Sequence, residues 1–548
     1  MAYRFSLIIA LIAVAYGALL FHLYEIQLVK GNYYYAKAAS EVAAAVGTNG
    51  TRGAIYFTDL NGNELPAAIE KQFPIVYAVP SAIDDPAEAA HTVAPILDMP
   101  ASTLQKLFSK PHDDYELLVR KADPSVANGI EDADVKGVYA DVENDRYYPL
   151  GTVASQVLGY VGPNASNTGE SGHYGLESFY NGMLEGVSTS GPSAQAVGAD
   201  LQLTIDPNIQ IEAEKVLGDL VEQNHATGGS VIVADPQTGR ILAMGGDPGF
   251  DPNSYGDSPI ANFLNTNVQA VYEPGSILKV ITMAAGIDAG KITPNTTYTD
   301  KGFLKIGPAT ITNYDYTTHG PYGAGTTMTN VIEHSINTGA IFAENQTGNS
   351  TFEAYLKKFG LDGKTGIDMP GEVAGNLSEL SPKAPQIAFD TAAYGQGIAV
   401  TPIELVSAIG AIANGGTLMR PYVNAALAPQ PIRRVIATST AALVTQMMVS
   451  AVDKAQIANI AGYALAGKTG SAFIPDLVHG GYTNNLIDSY IGFGPASHPR
   501  FIAFIRLNTL PATALAAQSV VPAFKELSQY IINYYSIPPD RIGTDAQP

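Results

Sequence analysis

A run of twelve residues that follows a Pro-Gly pair constrains the fold of this chain more than any other segment. Pro274 and Gly275 disfavour the interior of a helix but can stand directly before one. Residues 276–287 are mostly apolar and carry a single charge, at Lys279. The run predicts a buried helix that begins at Ser276, so the fold must supply layers of structure around it.

The same run contains a Ser-x-x-Lys pair with chemical meaning. Positions three apart share one face of a helix, so the Ser276 hydroxyl and the Lys279 amine are expected to point the same way. They would do so from a first turn whose free N–H groups favour negative charge. A buried lysine that has lost its proton can accept the proton of a serine, which makes the serine a nucleophile. Alone the pair is weak, because a serine near a helix start with an exposed lysine has the same pattern.

A second motif, Ser335-Ile336-Asn337, lies downstream of the first. In an acyl-transfer site Ser335 can pass a proton to the leaving amine. Asn337 can orient Lys279 and hold an amide of the substrate. This short pattern is common by chance and gains weight only from its companions.

The third motif is Lys468-Thr469-Gly470-Ser471, at the head of a predicted strand. Lys468 would supply positive potential for an anionic end of the substrate and would help to lower the pKa of Lys279. A glycine in a strand lets another chain approach closely, as Gly470 would for a substrate backbone. The hydroxyls of Thr469 and Ser471 can bind a carboxylate.

Three motifs in this order, at domain-scale spacing, indicate a serine acyltransferase. The natural donors to its oxyanion are the backbone N–H groups of Ser276 and Ser471. One such donor typically contributes about 3–4 kcal/mol of transition-state stabilisation.

Charge and composition exclude several other classes. The net charge is -21, and phosphate binding needs a basic surface, so nucleic acid is not an expected partner. The chain has no cysteine, which excludes disulfides, thiolate catalysis and cysteine-based zinc sites. No two of its nine histidines stand three to five apart. We therefore expect neither a metal nor a cofactor.

The N-terminal segment predicts a membrane anchor. Residues 5–21 are uncharged, and the run extends to Tyr24, long enough for a hydrocarbon layer of about 30 Å. We expect a transmembrane helix over 4–24, a cytoplasmic stub at 1–3, and a catalytic domain outside the cytoplasm. The alternative is a cleaved signal peptide with its small-residue site at 13–15.

The rest of the chain predicts an α/β (α+β) protein with two domains. Residues 25–195 form a mixed α/β domain, 188–198 a Ser/Gly-rich linker, 200–536 an antiparallel sheet flanked by helices, and 537–548 a loose tail. The expected strands are 51–56, 201–205, 229–235, 240–244, 488–494 and 500–506. The expected helices outside the first motif are 86–107 with breaks, 209–224 and 512–535. Structural ion pairs are expected for isolated charges, namely Arg52, Asp59, Arg146 and Glu177.

The chain resembles the class B penicillin-binding proteins, the peptidoglycan D,D-transpeptidases. Besides the three motifs, the resemblance includes Arg52-Gly53, Asp59, Asn61-Gly62, residues 146–162, Gly175-Leu176-Glu177, Gly228-Gly229-Ser230-Val231, residues 251–253, Tyr394-Gly395-Gln396-Gly397, Thr401-Pro402 and Asn414-Gly415-Gly416-Thr417. It implies a pedestal domain of the dimerisation type, then a transpeptidase domain that forms a covalent acyl-enzyme on Ser276. One departure is Ser471, where the family usually has threonine, and the hydroxyl is kept.

The resemblance also implies partners and a place of action. The substrates are peptidoglycan stem peptides, β-lactams are covalent inhibitors, and a membrane glycosyltransferase with other division or elongation proteins would be partners. Gln27, Lys30-Gly31 and Ala39 are most similar to the septal type, which favours septal over lateral wall synthesis. Two alternatives remain at this point, a D,D-carboxypeptidase of the same fold and a non-catalytic scaffold of the division machinery.

Overall fold

The computed structural model describes residues 52–111, 115–166, 170–185, 197–476, 478–511 and 515–541. The predicted membrane helix (4–24) and most of the predicted linker and tail lie outside these ranges. Among the described residues, no helix combines the length and apolarity that crossing a membrane requires.

The chain forms two compact units. Of the described residues, those within 52–56, 65–149 and 182–200 form the N-terminal unit, and those within 57–64, 150–181 and 201–541 form the C-terminal unit. Residues 57–64 and 150–181 lie within the predicted segment 25–195 and group by their contacts with the C-terminal unit. The predicted domain bounds, 25–195 and 200–536, stay a prediction.

The first elements of the chain are β1 (Ile55–Thr58), β2 (Glu64–Ala78), α1 (Pro86–Leu97), α2 (Ala101–Phe108), β3 (Glu116–Val119), α3 (Pro124–Ala133) and β4 (Val138–Tyr147). The long strand β2 pairs antiparallel with β4 from Ile69 to Ala78 and with β3 from Val76 to Ala78. The three helices bury Val93, Leu104 and Ile130 in one apolar cluster with Val76 of β2. The predicted helices over 86–107, with breaks, are confirmed.

The remaining elements are α4 (Ser155–Leu158), β5 (Tyr160–Pro163), β6 (Glu170–His173), α5 (Gly175–Phe179), α6 (Asn181–Glu185), β7 (Leu201–Gln202), α7 (Pro207–Asn224), β8 (Gly228–Ala234), β9 (Ile241–Asp247), α8 (Thr266–Gln269), α9 (Leu278–Asp288), β10 (Thr297–Asp300), β11 (Phe303–Ile306), β12 (Ala309–Thr312), α10 (Tyr316–His319), β13 (Gly323–Thr327), α11 (Met328–Glu333), α12 (Asn337–Thr347), α13 (Asn349–Lys358), α14 (Gln386–Ala392), α15 (Pro402–Ala413), β14 (Thr417–Met419), β15 (Pro431–Arg434), α16 (Thr438–Ala455), β16 (Ala466–Pro475), β17 (Tyr482–Gly494), β18 (Phe501–Pro511) and α17 (Val520–Tyr534). Short 3-10 turns cover 252–257, 260–263 and 275–277.

The centre of the C-terminal unit is a five-stranded antiparallel sheet in the order β16-β17-β18-β8-β9. Helices α7 and α17 cover one face and bury Leu217, Phe524 and Leu527 against Val231 and Ile505 of the sheet. Helices α15 and α16 pack against strands of the sheet as well. The expected mixed α/β fold, with helices against an antiparallel sheet, is confirmed.

Helix α9 is enclosed by other helices, chiefly α12, α13 and α16. Every residue from Leu278 to Gly286 is buried, including Lys279. The buried helix predicted from the apolar run is confirmed. Its predicted start at Ser276 is not, because the α-helix begins at Leu278.

Several predicted boundaries near the sheet are wrong. Strand β17 begins at Tyr482 rather than 488, and β18 continues to Pro511 rather than 506. The two strands keep pairing as far as Asn485 opposite Pro511, beyond the apolar segments that marked them in the sequence. Pairing with a neighbour, which the local pattern does not contain, extends these strands. Helix α17 begins at Val520 rather than 512.

The core of the sheet gives a stability prediction. Phe504 in β18 is fully buried, so Phe504→Ala removes a large side chain from close-packed surroundings and should destabilise the fold by about 3–5 kcal/mol. The matched control is Phe303→Ala, because 41% of Phe303 is exposed. Chemical denaturation of both variants measures the effect. Equal shifts of the two denaturation midpoints would contradict this placement of the core.

Candidate active site

The nucleophile candidate lies in a tight turn rather than in the α-helix. Gly275–Ile277 form a 3-10 turn, and α9 starts at Leu278, so the predicted helix start at Ser276 is wrong by two residues. Gly275 has a φ of 56° and its N–H donates to Gly395 O at 3.1 Å. A Cβ at Gly275 would stand 2.6 Å from Ser471 O. Only glycine fits this close approach, which holds the Ser276 turn against strand β16.

Lys279 lies at the centre of the site. Its Nζ is 2.9 Å from Ser276 Oγ, 2.6 Å from Ser335 O and 2.7 Å from Asn337 Oδ1. Ser335 Oγ is 3.2 Å away. The structure thus brings together the first two motifs around one amine, as the sequence predicted.

The partners of Lys279 suit a neutral amine. The Ser335 carbonyl and the Asn337 amide oxygen can only accept hydrogen bonds, so they take the two N–H bonds of a neutral amine. The remaining lone pair can then accept the hydroxyl proton of Ser276. A charged ammonium would have three N–H donors and no lone pair for this task.

Electrostatics favour the same protonation state. Lys279 is completely buried, and burial is the main cause that lowers its pKa well below the ordinary value of 10.5. The charge of Lys468 lowers the pKa further, whereas Asp315 opposes the shift. Burial lowers the pKa of Lys468 to about 7. Burial thus disfavours the charged form of both lysines, and the charge of Lys468 further disfavours that of Lys279.

The Ser-x-Asn motif forms a corner between two helices. Helix α11 ends at Glu333 and α12 begins at Asn337. Between them Ser335 has a φ of 56°, a left-handed conformation that costs energy for a residue other than glycine. In this conformation both the carbonyl oxygen and the hydroxyl of Ser335 contact the Lys279 amine. Asn337 is held in turn, because its Nδ2 donates to Thr312 O at 2.9 Å.

The Lys468 amine completes a continuous polar path. Its Nζ is 2.9 Å from Ser335 Oγ and 3.1 Å from Thr469 Oγ1. Ser335 therefore lies between Lys468 and Lys279, the position that proton relay requires. All five predicted catalytic residues, Ser276, Lys279, Ser335, Asn337 and Lys468, meet in one site.

Strand β16 forms the side of the site next to the nucleophile. A Cβ at Gly470 would stand 2.7 Å from Pro274 O, so the glycine allows the strand to approach the turn before Ser276. Half-buried Ser471 does not present a free hydroxyl, since its Oγ donates to Asp488 Oδ1 at 2.5 Å. Sequence reasoning placed Asp488 in a strand but did not assign it to the site. The pairing of β16 with β17, which brings the two together, has no local signal in the sequence.

Two other predictions concern charges away from the site. Arg52 lies 3.6 Å from Glu185 and Arg146 lies 3.9 Å from Glu70, so these two form the predicted ion pairs. Asp59 instead accepts the N–H groups of residues 61 and 63 within its own turn. In the part of the chain that the structure describes, no group of three or more acidic or histidine side chains is arranged to hold a metal ion.

Comparison with known proteins matches two successive segments of the sequence. Residues 229–529 match the penicillin binding protein transpeptidase domain, and residues 47–194 match the penicillin-binding protein dimerisation domain. The stage V sporulation protein D of Bacillus subtilis is 30% identical over 490 residues, covering 83% of this chain and 74% of that protein. The peptidoglycan D,D-transpeptidase FtsI of Escherichia coli is 25% identical, covering 99% of this chain and 94% of that protein.

Solved structures show the same fold. The penicillin binding protein 3 of Mycobacterium tuberculosis, complexed with aztreonam, has a TM-score of 0.69 and 23% identity. The match covers 89% of this chain and 97% of that chain. The mixed α/β fold expected from the resemblance is therefore confirmed for the residues that the structure describes.

Proposed function

The chain belongs to the penicillin-binding protein transpeptidase family, and from that premise we propose that it is a class B peptidoglycan D,D-transpeptidase acting in septal wall synthesis. The single observation that carries the activity is the contact of a buried Lys279 amine with Ser276 Oγ at 2.9 Å. The family membership and the relatives named as D,D-transpeptidases support the reaction and the substrate class, peptidoglycan stem peptides.

The acylation step follows from the geometry of the site. Ser276 Oγ attacks the carbonyl carbon of the scissile peptide bond, and its proton goes to the lone pair of Lys279. The N–H groups of Ser276 and Ser471 hold the oxyanion. When the C–N bond breaks, the Ser335 hydroxyl gives its proton to the leaving amine and regains one from Lys279. The product is an ester of Ser276 with the donor peptide.

Deacylation completes the transfer. The amine of a second stem peptide attacks the ester carbonyl, its proton returns through Lys279 to Ser276 Oγ, and the new amide is the cross-link. Lys468 holds positive potential over the donor's anionic end, close to Thr469 and Ser471. None of these steps needs a metal or a cofactor. β-Lactams would acylate the same serine and remain there.

The site of action is part of the proposal. We place the enzyme in the cell membrane through a helix over 4–24, with both compact units on the outer side. The uncharged run supports this location, because its length matches a hydrocarbon layer. A membrane glycosyltransferase and other division proteins would be its partners, as the family resemblance implies.

Peptide mapping tests the activity. Purified protein is treated with benzylpenicillin, digested and analysed by mass spectrometry, and the adduct is expected on the peptide that contains Ser276. Ser276→Ala should carry no adduct, whereas Ser166→Ala, at an exposed serine, should label as the native chain does. An adduct that persists in Ser276→Ala would refute the nucleophile assignment.

A second assay separates transfer from hydrolysis. With a donor stem peptide and an amine acceptor, the transpeptidase yields a cross-linked product in excess of the hydrolysed donor. Hydrolysed donor alone, at saturating acceptor, would identify a D,D-carboxypeptidase. Absence of both turnover and a penicillin adduct would favour the remaining alternative, a non-catalytic scaffold of the division machinery.

A further inference from the structure

The least expected feature of the site is the carboxyl group behind Ser471. In the register of the sheet, Ser471 on β16 stands directly opposite Asp488 on β17. Directly opposite residues of an antiparallel pair project from the same face, so the two side chains meet there. Asp488 is fully buried, and its Oδ1 accepts the Ser471 hydroxyl at 2.5 Å. A second hydroxyl, that of Ser519, donates to Oδ2 at 3.2 Å.

This contact conflicts with the use of Ser471 as a donor to substrate. An ionised carboxylate can only accept hydrogen bonds, so it takes the single hydroxyl proton of Ser471. The oxygen of Ser471 then presents lone pairs to the donor peptide's carboxylate, and the Asp488 charge adds repulsion. A protonated Asp488 reverses the arrangement. Its O–H donates to Ser471 Oγ, which frees the Ser471 hydroxyl to donate to the substrate.

We propose that Asp488 is a specificity-determining residue that acts through Ser471, permitting the hydrogen bond to a donor carboxylate when protonated and withholding it when ionised. The proposal rests on the proposed function, because it concerns the carboxylate end of that enzyme's donor. Asp488 is a positioning residue rather than a catalytic one, since it touches Ser471 and not the reacting atoms.

The surroundings of Asp488 make its protonated form accessible. Burial raises the pKa of Asp488 above its ordinary value of 3.8, while the hydroxyls of Ser471 and Ser519 oppose that shift. On the other neighbouring strand, Asp488 stands opposite Leu507, which carries no charge. Tyr314 lies within the electrostatic reach of Asp488. Burial is the main cause that raises the pKa of the Tyr314 phenol, and the charge of Asp488 raises it further.

The nearby cations project from the opposite face of the sheet. Lys468 and Ser489 alternate with Ser471 and Asp488 in a continuous register, so their side chains leave the strands on the other face. From there the Lys468 amine reaches Thr469 Oγ1 at 3.1 Å on the edge strand β16. Arg506 stands opposite Ser489 on β18 and lies on that second face as well, over the Tyr272 ring at 5.0 Å. Neither cation is therefore placed to pair directly with Asp488.

The test compares Asp488→Asn with the native chain across pH. Asparagine keeps the shape of the side chain, and its Nδ2 can donate to Ser471 at every pH. The measurement is the second-order rate constant for acylation of Ser276 by benzylpenicillin, which carries a carboxylate. The ratio of variant to native rate should be near one at acid pH. It should rise to at least about 10-fold at alkaline pH, as expected for one hydrogen bond to a charged group.

Three companion measurements separate this role from a structural one. In a Ser471→Ala background the same ratio should stay near one at all pH values, because the hydroxyl that transmits the effect is gone. With the methyl ester of benzylpenicillin the ratio should not depend on pH. Ser519→Ala removes a donor to the ionised carboxylate and so raises the pKa of Asp488. The fall in acylation rate that accompanies ionisation of Asp488 should therefore move to higher pH. This last variant also serves if Asp488→Asn fails to fold.

The outcomes distinguish the two proposals. Parallel pH profiles of Asp488→Asn and the native chain, with adducts forming on Ser276, would overturn the proposed role of Asp488. They would leave the proposed function intact. A uniform loss of rate at all pH values in Asp488→Asn would do the same, as it would indicate a structural carboxyl. Absence of any Ser276 adduct in the native chain at every pH would instead overturn the proposed function.

Discussion

Lys279→Arg is expected to lower the rate of Ser276 acylation by ~10²–10⁴-fold, the typical contribution of a positioned proton acceptor. Lys279 can act as a base because burial and Lys468 lower its pKa well below 10.5. A guanidinium keeps its proton at any accessible pH, so the variant retains a positive charge but offers no lone pair. The rate of acylation by benzylpenicillin, followed on intact protein by mass spectrometry, gives the comparison.

The control for this prediction is Lys305→Arg, at an exposed lysine of β11, which should acylate at the native rate. Because a buried guanidinium can disturb the helical core, Lys279→Ala is tested as well, with and without an added primary amine. Partial recovery of acylation by the added amine would identify a missing base rather than a misfolded site. A native rate in Lys279→Arg would refute the assignment of Lys279 as the base.

Asn337→Asp is expected to move the acid limb of the acylation profile to higher pH. The native rate should rise with pH as Lys279 loses its proton, since the neutral amine is the active form. A carboxylate at position 337, where Oδ1 now lies 2.7 Å from Nζ, stabilises the charged lysine and raises its pKa by roughly 1–3 units. At a pH on this limb the rate should fall by ~10–10³-fold, and it should recover at more alkaline pH.

The matched control is Gln346→Glu, which adds the same charge to an exposed position of the same helix, α12. This variant should leave the acid limb where it is. A loss of rate in Asn337→Asp that is equal at all pH values would indicate only the loss of the hydrogen bond to Thr312 O. That outcome would contradict the role given to the neutral Lys279 amine.

Much of the site was predictable because its residue types are paired within short motifs. The spacing of Ser276 and Lys279 predicted that they would meet, and the structure places them 2.9 Å apart. The three motifs together predicted one site from segments that are far apart in the chain. What spacing could not predict is the orientation of each group, such as the left-handed backbone of Ser335 that accompanies contacts of both its carbonyl and its hydroxyl with Lys279.

Element types were also more predictable than element ends. The apolar run around Met283 is a helix and the alternating segments are strands, since side-chain periodicity is a local property. The ends of β17 and β18 depend on pairing with each other, and the start of α9 depends on Gly275 packing against β16. Long-range contacts of this kind override local propensity, and no local pattern encodes them.

The sequence by itself determined the family, the nucleophile and base pair, and the buried helix that carries the lysine. These follow from the order of residues along one chain and from periods of a few residues. Only the tertiary structure decided that Ser471 faces Asp488, because that contact joins two strands in a particular register. The same hydroxyl that spacing assigned to a substrate carboxylate is therefore shared with a carboxyl of the protein itself.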